Sequence, residues 1–210
     1  MDFDVVSMKQ RAKMLMKSTK PKPIFAGLVI VVFNIIMMVI LNYSDNGSIS
    51  TILIYFLVYS VLSMLLMISL IWFCMKVTRE EQTEFSDIFL GFKEKQGKVL
   101  IVALVKGICI YIGLAIFFVG ALFPLYWFRF TENVVRDDDT MNPIKAMGKS
   151  MKLMKGHYVE LIKLDLRFIG WWVLFIVTFG IAGFYVLPYT NMVYAEFYDY
   201  IKGQYEAFNG

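Results

Sequence analysis

The chain has 210 residues, of which 59% are hydrophobic and only 18% are charged, and its mean hydropathy is +0.63. A water-soluble domain of this composition would aggregate, whereas a bilayer requires apolar stretches of about 20 residues for each helical span. The alternating pattern of a membrane β-barrel is missing, so the composition predicts an all-α membrane protein with a single membrane domain over residues 1–210.

The net charge of +4 does not indicate a nucleic-acid partner, because the basic residues are interleaved with apolar stretches and do not form a soluble basic module. Cys74 and Cys109 both lie in apolar segments and show neither disulfide nor zinc-ligand spacing. We therefore expect these two cysteines to be small core residues.

The first two apolar segments are each long enough for one helical span. The first runs from about Pro23 to Tyr43 and the second from about Thr51 to Met75, with a polar turn between them. A basic segment precedes the first span. The span itself is too long for a signal-peptide core, and no small-residue cleavage site follows the span. We expect this first span to be retained.

Two later apolar regions, Val99 to Phe128 and Leu161 to Tyr200, are each too long for one span. Each contains glycines followed by a proline, so each is either one kinked helix or two shorter helices joined by a tight turn, near Gly120 to Pro124 in the first case. Charge favours the hairpins, because single spans would place the lysines between the two regions outside the cell.

The resulting prediction is six short transmembrane helices arranged as three hairpins, with both termini in the cytoplasm. In this layout 17 of the 21 lysine and arginine residues lie in the inward segments, and the outward turns contain none. This distribution is the one that the positive-inside rule describes.

Each predicted hairpin follows a short basic segment with apolar residues at helical spacing, which predicts three repeats over residues 3–75, 83–136 and 142–201. The segments are Val5 to Lys17, Phe85 to Lys95 and Pro143 to Lys155. We expect them to be amphipathic helices in the headgroup layer, although a partner-docking helix would show the same pattern. The predicted headgroup contacts, mainly to anionic lipid, are Lys13, Lys17, Lys149, Lys152 and Lys155.

The chain from Ser150 to Tyr198 resembles the bacterial membrane family known as domain of unknown function 975. The residues that carry the resemblance are Leu153, Met154, Lys155, Gly156, Asp165, Leu166, Phe168, Ile169, Gly170, Trp171, Thr178, Gly180, Ile181, Pro188, Tyr189, Ala195, Phe197 and Tyr198. Arg167 and the segment Leu122 to Pro124 depart from the family pattern. The resemblance implies a bacterial origin and a fold, but no biochemical activity.

Ionisable residues within the predicted spans form a candidate polar cluster, because a charge at the bilayer centre costs at least about 2.5 kcal/mol and therefore requires a reason. Its members are Lys106, Arg129, Glu132, Asp165, Arg167 and Glu196. Either they form a ligand or ion site in the inner leaflet, or they neutralise each other in pairs and determine which helices pack together.

The remaining candidates favour simpler interpretations. His157 is expected at a membrane boundary, Asp137, Asp138 and Asp139 in a solvated turn, and five aromatic residues in an interfacial belt, namely Trp72, Tyr126, Trp127, Tyr185 and Tyr189. We find no nucleophile with a histidine partner, no phosphate-binding glycine loop and no zinc spacing, so we predict no catalytic residue, cofactor or metal.

Two functional hypotheses remain open. The first is a non-enzymatic membrane protein that acts through lipid or a membrane-protein partner, or as a homo-oligomer, in an accessory, scaffold or immunity-type role. The second is a small transporter or channel subunit, because glycine and proline interruptions in corresponding hairpins are typical of transporter sites.

Overall fold

The computed structural model describes residues 4–43, 49–116, 122–138 and 140–209, and all regular structure within them is helical. The elements are α1 (Val5–Ser18), α2 (Ile24–Tyr43), α3 (Ile49–Thr78), a 3-10 helix (Phe85–Phe89), α4 (Leu90–Lys93), α5 (Gln96–Ile116), α6 (Leu122–Trp127), α7 (Thr131–Asp137), α8 (Pro143–Met154), α9 (Tyr158–Leu166), α10 (Ile169–Val177) and α11 (Gly183–Asn209). The predicted all-α fold is confirmed at this level.

Two of the predicted surface helices begin where local capping signals place them. The Asp4 carboxylate accepts hydrogen bonds from the backbone N–H groups of Val6 and Ser7, at 2.9 and 3.3 Å, and so starts α1. The Asn142 side chain accepts from the N–H of Ile144 at 3.1 Å, and Pro143 occupies the first turn of α8.

Helices α2 and α3 form the first hairpin. The Tyr55 hydroxyl donates to the Met37 carbonyl at 2.5 Å, and the Tyr59 hydroxyl donates to the Asn34 side chain at 2.7 Å. The first half of α3 is exposed on nearly all sides, whereas its second half, from Leu66 onward, is almost completely buried. The first half of α3 therefore presents an exposed apolar surface, and its second half lies within the core of the bundle.

The long C-terminal helix α11 is the centre of the packing, since it contacts α1, α2, α3, α8 and α10. Pro188 lies inside this helix and cannot donate a hydrogen bond to the carbonyl of Phe184, one turn earlier. Gly27 of α2 lies against that same carbonyl group, so closely that an added Cβ would be 2.7 Å from its carbon atom. The absence of a side chain at Gly27 thus permits α2 and α11 to touch.

Both long apolar regions are divided into separate helices. In the first, α5 ends at Ile116, and α6 begins at Leu122 and contacts α5. The predicted turn residue Gly120 lies outside the described residues, and Pro124 lies within α6.

In the second region, the chain turns between α10 and α11, where Phe179 and Gly180 adopt positive φ angles of 50° and 86°. Two further interruptions, at Phe128–Phe130 and at Arg167–Phe168, were not predicted. The fourth and fifth predicted spans are therefore each interrupted and do not form a straight helix.

Two helices, Ile24–Asn42 within α2 and Ile49–Thr78, are long and apolar enough to cross a membrane. Only 22% and 11% of their most apolar segments are buried, whereas a core helix of a soluble protein would be mostly buried. These helices correspond to the first two predicted spans.

Candidate functional site

The first pair in the candidate polar cluster joins α5 to α7. The Lys106 ammonium donates to Oε1 of Glu132 at 2.8 Å, and the Glu132 side chain is only 10% exposed. Oε2 of the same carboxylate is buried and has no hydrogen-bond partner among the described residues. Because an ion pair with one unsatisfied oxygen is costly in a low-dielectric site, this arrangement needs an explanation beyond helix packing.

The second group of the cluster lies between α6, α9 and α11. Asp165 accepts hydrogen bonds from the hydroxyls of Tyr126 and Tyr194, at 3.0 and 2.5 Å. The guanidinium of Arg129 lies 4.2 Å from the centroid of the Tyr194 ring, which is a favourable cation–π geometry. One tyrosine thus contacts both an acidic and a basic side chain.

These two groups line neighbouring depressions. An open groove of about 400 Å³, here called the polar groove, is lined by Tyr126, Arg129, Ile162, Asp165, Leu166, Ile169, Trp172 and Tyr194. A more enclosed cavity of about 150 Å³ contains Lys106, Glu132, Asn133 and Asn191. Arg129, Trp172 and Tyr194 border both, so the groove and the cavity adjoin at these three side chains.

A buried serine on α8 fixes the chain interruption that carries Arg129. The Ser150 hydroxyl donates to the Trp127 carbonyl at 2.9 Å and accepts from the Phe130 N–H at 3.3 Å. It therefore satisfies one backbone acceptor and one donor at the break between α6 and α7. The sequence gives no local signal for this contact, because a serine in the middle of a helix usually bonds its own backbone.

The other two predicted members of the cluster lie elsewhere. Arg167 is exposed at the break between α9 and α10, and its carbonyl accepts a hydrogen bond from Lys9 at 3.2 Å. Glu196 faces α1, with its Oε1 atom 3.8 Å from Nε of Arg11. The structure thus brings together Lys106 with Glu132, and Arg129 with Asp165, but not all six residues.

The lysines predicted to contact headgroups lie on the outer faces of the two capped helices. Lys13 and Lys17 are exposed on α1, Lys152 is exposed on α8, Lys155 is exposed at its end, and Lys149 is half-buried. On the opposite face of α8, Ala146, Ser150 and Leu153 are buried. The exposed lysines are free to contact a charged surface.

An ionic cluster that the sequence did not reveal joins α3, α7 and α11. The Arg79 guanidinium donates to both carboxylate oxygens of Asp137, at 2.6 and 3.1 Å, and to both of Asp199, at 3.2 and 2.6 Å. Lys202 and the hydroxyl of Tyr198 also donate to Asp137, at 2.6 and 3.0 Å. Burial alone would raise the pKa of Asp137, but the hydrogen bonds from Arg79 and Lys202 outweigh it and lower the pKa to about 2.

This cluster corrects the prediction of a solvated turn at Asp137, whose side chain is only 8% exposed. Asp138 does fit a turn, since it accepts from the hydroxyl and N–H of Thr140, and Asp139 lies outside the described residues. The prediction of an interfacial position for Trp72 is also wrong. Its ring is completely buried, and its Nε1–H donates to the Glu132 carbonyl at 2.9 Å.

No group of three or more histidine, cysteine, aspartate or glutamate side chains in the described part of the chain is arranged to hold a metal ion. His157 forms a 2.6 Å contact with Glu160, one turn further along α9. The polar groove and its adjoining cavity present charged, hydrogen-bonding and aromatic side chains.

The fold defines an all-helical protein with two helices able, by length and composition, to cross a membrane. Residues 116–205 match the family model described as "Protein of unknown function (DUF975)", which confirms the resemblance seen in the C-terminal sequence. The match extends from the end of α5 through most of α11, so it includes all of the polar groove. No curated protein and no solved structure matches the chain significantly.

Proposed function

We propose that this chain is a non-enzymatic, polytopic protein of the bacterial cytoplasmic membrane that acts through lipids or another membrane protein, as an accessory, scaffold or immunity-type factor. The observation that carries the proposal is the exposed apolar surface of α2 and α3. Met38 of α2 and Leu53 and Leu57 of α3 are each more than 60% exposed. An apolar surface of this extent is stable in lipid and would cause aggregation in water.

We further propose that the six spans are α2, α3, α5, the pair α6–α7 up to Val135, the pair α9–α10, and the first part of α11. A helix of 30 residues such as α3 is about 45 Å long, which exceeds the hydrocarbon layer of about 30 Å. Its buried second half, which ends next to Arg79, would lie on the cytoplasmic side. The ionic cluster and the lysines of α1 and α8 favour this orientation, because positive charge accumulates inside.

Labelling single cysteines in intact cells tests this topology. In a background with Cys74→Ser and Cys109→Ser, an impermeant maleimide should label Ile49→Cys, at the 79% exposed start of α3. It should not label Lys152→Cys, on the exposed face of α8, until the cells are permeabilised. Labelling of Lys152→Cys from outside would contradict the six-span layout with cytoplasmic termini.

The partner part of the proposal is tested by extracting the protein in native-lipid nanodiscs. We expect enrichment of specific lipids, or of a second membrane protein, relative to discs that contain an unrelated membrane protein of similar size. Discs that contain this chain alone, with the lipid composition of the bulk membrane, would contradict an action through lipid or protein partners.

The enclosed cavity favours a second candidate, a small transporter or channel subunit with a polar site in the inner leaflet. The cavity of about 150 Å³ contains the Lys106–Glu132 pair, and Glu132 Oε2 is unsatisfied among the described residues. A transport role predicts solute flux into liposomes that decreases in Arg129→Gln and Glu132→Gln variants. Equal flux in both variants and in protein-free liposomes would remove this candidate.

A further inference from the structure

We infer that the polar groove binds the headgroup of a zwitterionic phospholipid, with the phosphate on Arg129 and the primary ammonium on Asp165. The ligand that fits is a phosphatidylethanolamine. This inference rests on the proposed function, since it assigns a lipid class to a protein proposed to act within the membrane.

Arg129 provides the anion-binding half of the groove. Within the described part of the chain, no carboxylate oxygen lies within 4.0 Å of its guanidinium nitrogens. The guanidinium lies against the face of the Tyr194 ring. A guanidinium has five N–H donors in a planar fork, and it binds a phosphate through two of them at once. The side chain is exposed, so a phosphate group can reach it.

Asp165 provides the cation-binding half. Its two oxygens accept from Tyr126 and Tyr194, and no lysine or arginine nitrogen of the described residues lies within 4.0 Å of them. Each carboxylate oxygen has a second lone pair, which remains available for an ammonium donor. The rings of Tyr126 and Trp172 line the same groove and would attract a cation to their faces.

The two charges share one groove but do not pair with each other. Tyr194 lies between them, with its ring against Arg129 and its hydroxyl bonded to Asp165, and so holds them at separate positions. Two separated opposite charges in a poorly solvated site are costly unless each has a partner. A ligand that carries one negative and one positive group satisfies both, whereas an anionic lipid satisfies only Arg129.

The remaining wall of the groove is apolar and exposed, which favours a lipid over a soluble zwitterion. Ile162, Leu166 and Ile169 are 43%, 59% and 52% exposed, and α10 continues from Ile169 with further exposed apolar residues. The adjoining cavity includes Met67 and Ile71 of α3, which follow directly after the exposed half of that helix. The two charges thus lie next to exposed apolar surface against which acyl chains can pack.

The test is native mass spectrometry of the full chain in detergent, titrated with short-chain phosphatidylethanolamine, phosphatidylglycerol or free phosphoethanolamine. We expect phosphatidylethanolamine to bind at least about tenfold more tightly than phosphatidylglycerol, since a hydrogen bond between charged groups is lost in the second case. Because this comparison uses the unmodified protein, it does not depend on the folding of a variant. Equal binding of the two lipids, or tighter binding of phosphatidylglycerol, would overturn the inference.

Asp165→Asn should remove the preference, and Arg129→Gln should weaken the binding of both lipids by at least about tenfold. Lys163→Gln, at an exposed position outside the groove on α9, should change neither the preference nor the affinity. Retention of the full preference in Asp165→Asn, or of the full affinity in Arg129→Gln, would place the headgroup elsewhere and overturn the assignment. Binding of free phosphoethanolamine as tightly as the lipid would show a soluble ligand instead. A chain that remains in membranes but shows no headgroup preference contradicts only this inference, whereas a chain that does not fractionate with membranes contradicts the proposed function.

Discussion

Arg79 and Asp137 are joined by two hydrogen bonds, of 2.6 and 3.1 Å, that connect the residue after α3 to the last residue of α7. Asp199 of α11 binds the same guanidinium, and Lys202 binds the same carboxylate. Both charged side chains of the central pair are mostly buried, with 26% and 8% exposure. The ionic cluster thus joins α3, α7 and α11 at the buried end of α3, away from its exposed first half.

Replacing Asp137 with alanine should destabilise the protein strongly. The substitution leaves Arg79 and Lys202 without their shared partner, and removal of one member of a buried ion pair costs about 3–5 kcal/mol. Thermal unfolding of the purified protein in detergent measures the effect. Asp138→Ala is the matched control, because the Asp138 carboxylate accepts its hydrogen bonds from Thr140, two residues away in the chain, and its transition should remain near that of the unmodified chain.

The same carboxylate predicts a loss of stability in acid. The folded-state pKa of Asp137 is lowered to about 2, while an unfolded aspartate has a pKa of about 3.9. Its contribution is therefore complete above about pH 4 and is lost as the pH decreases from about 4 to 2. The difference in melting temperature between the unmodified chain and Asp137→Asn should decrease over this interval. A difference that stays constant down to pH 2 would show that Asp137 titrates normally.

Lys106 and Glu132 should show strong energetic coupling. Lys106→Met leaves a buried carboxylate unpaired, and Glu132→Gln leaves the ammonium without its charge partner, so each alone should be destabilising. The double variant should lose less than the sum, by at least about 1 kcal/mol, in chemical unfolding. Lys163→Met combined with Glu206→Gln, both exposed, should be additive. Additivity at Lys106 and Glu132 would mean that their 2.8 Å contact is energetically unimportant.

Gly27→Ala should separate α2 from α11. The added Cβ would lie 2.7 and 2.8 Å from the carbonyl carbon and Cα of Phe184, and these backbone atoms cannot move aside alone. Overpacking of this kind costs about 1–3 kcal/mol. Gly107→Ala in α5 is the control, because nothing lies within 4 Å of its added Cβ, and alanine should stabilise that helix by up to about 1 kcal/mol. Equal unfolding transitions for the two variants would exclude close packing at Gly27.

The sequence predicted best where structure is determined locally. The proposed surface segments Val5 to Lys17 and Pro143 to Lys155 correspond to α1 and α8 within one residue at each end. Asp4 and the pair Asn142–Pro143 explain this agreement, since a cap is a contact between near neighbours in the chain. The apolar length of α2 and α3 likewise predicted the two helices that are long and apolar enough to cross a membrane.

The features that the sequence did not predict depend on distant residues. The break at Phe128–Phe130 is completed by Ser150 from another helix, and no pattern near residue 128 indicates it. Asp137 resembled a solvated residue because two further aspartates follow it, but Arg79 and Lys202 approach it from other elements. Trp72 resembled an interfacial residue, and only the packing of α7 against α3 buries it.

Asp165 illustrates the same limit within the candidate site. Its position in an apolar segment indicated a functional or structural role, but the identity of its partners did not follow from spacing. Tyr126 and Tyr194 lie 39 and 29 residues away, and each resembles an ordinary apolar or interfacial side chain in the sequence. The sequence thus identified the charged members of the groove and missed the tyrosines that hold them.

The ionic cluster also determines when assembly can be completed during synthesis. Arg79 leaves the ribosome 120 residues before Asp199, its partner on α11. The hairpin of α2 and α3 must therefore form while Arg79 still has no access to α11. The ionic cluster can bind α3, α7 and α11 to each other only after residue 202 has left the ribosome. In a nascent chain halted before α11, the end of α3 would therefore remain accessible to chaperones and proteases.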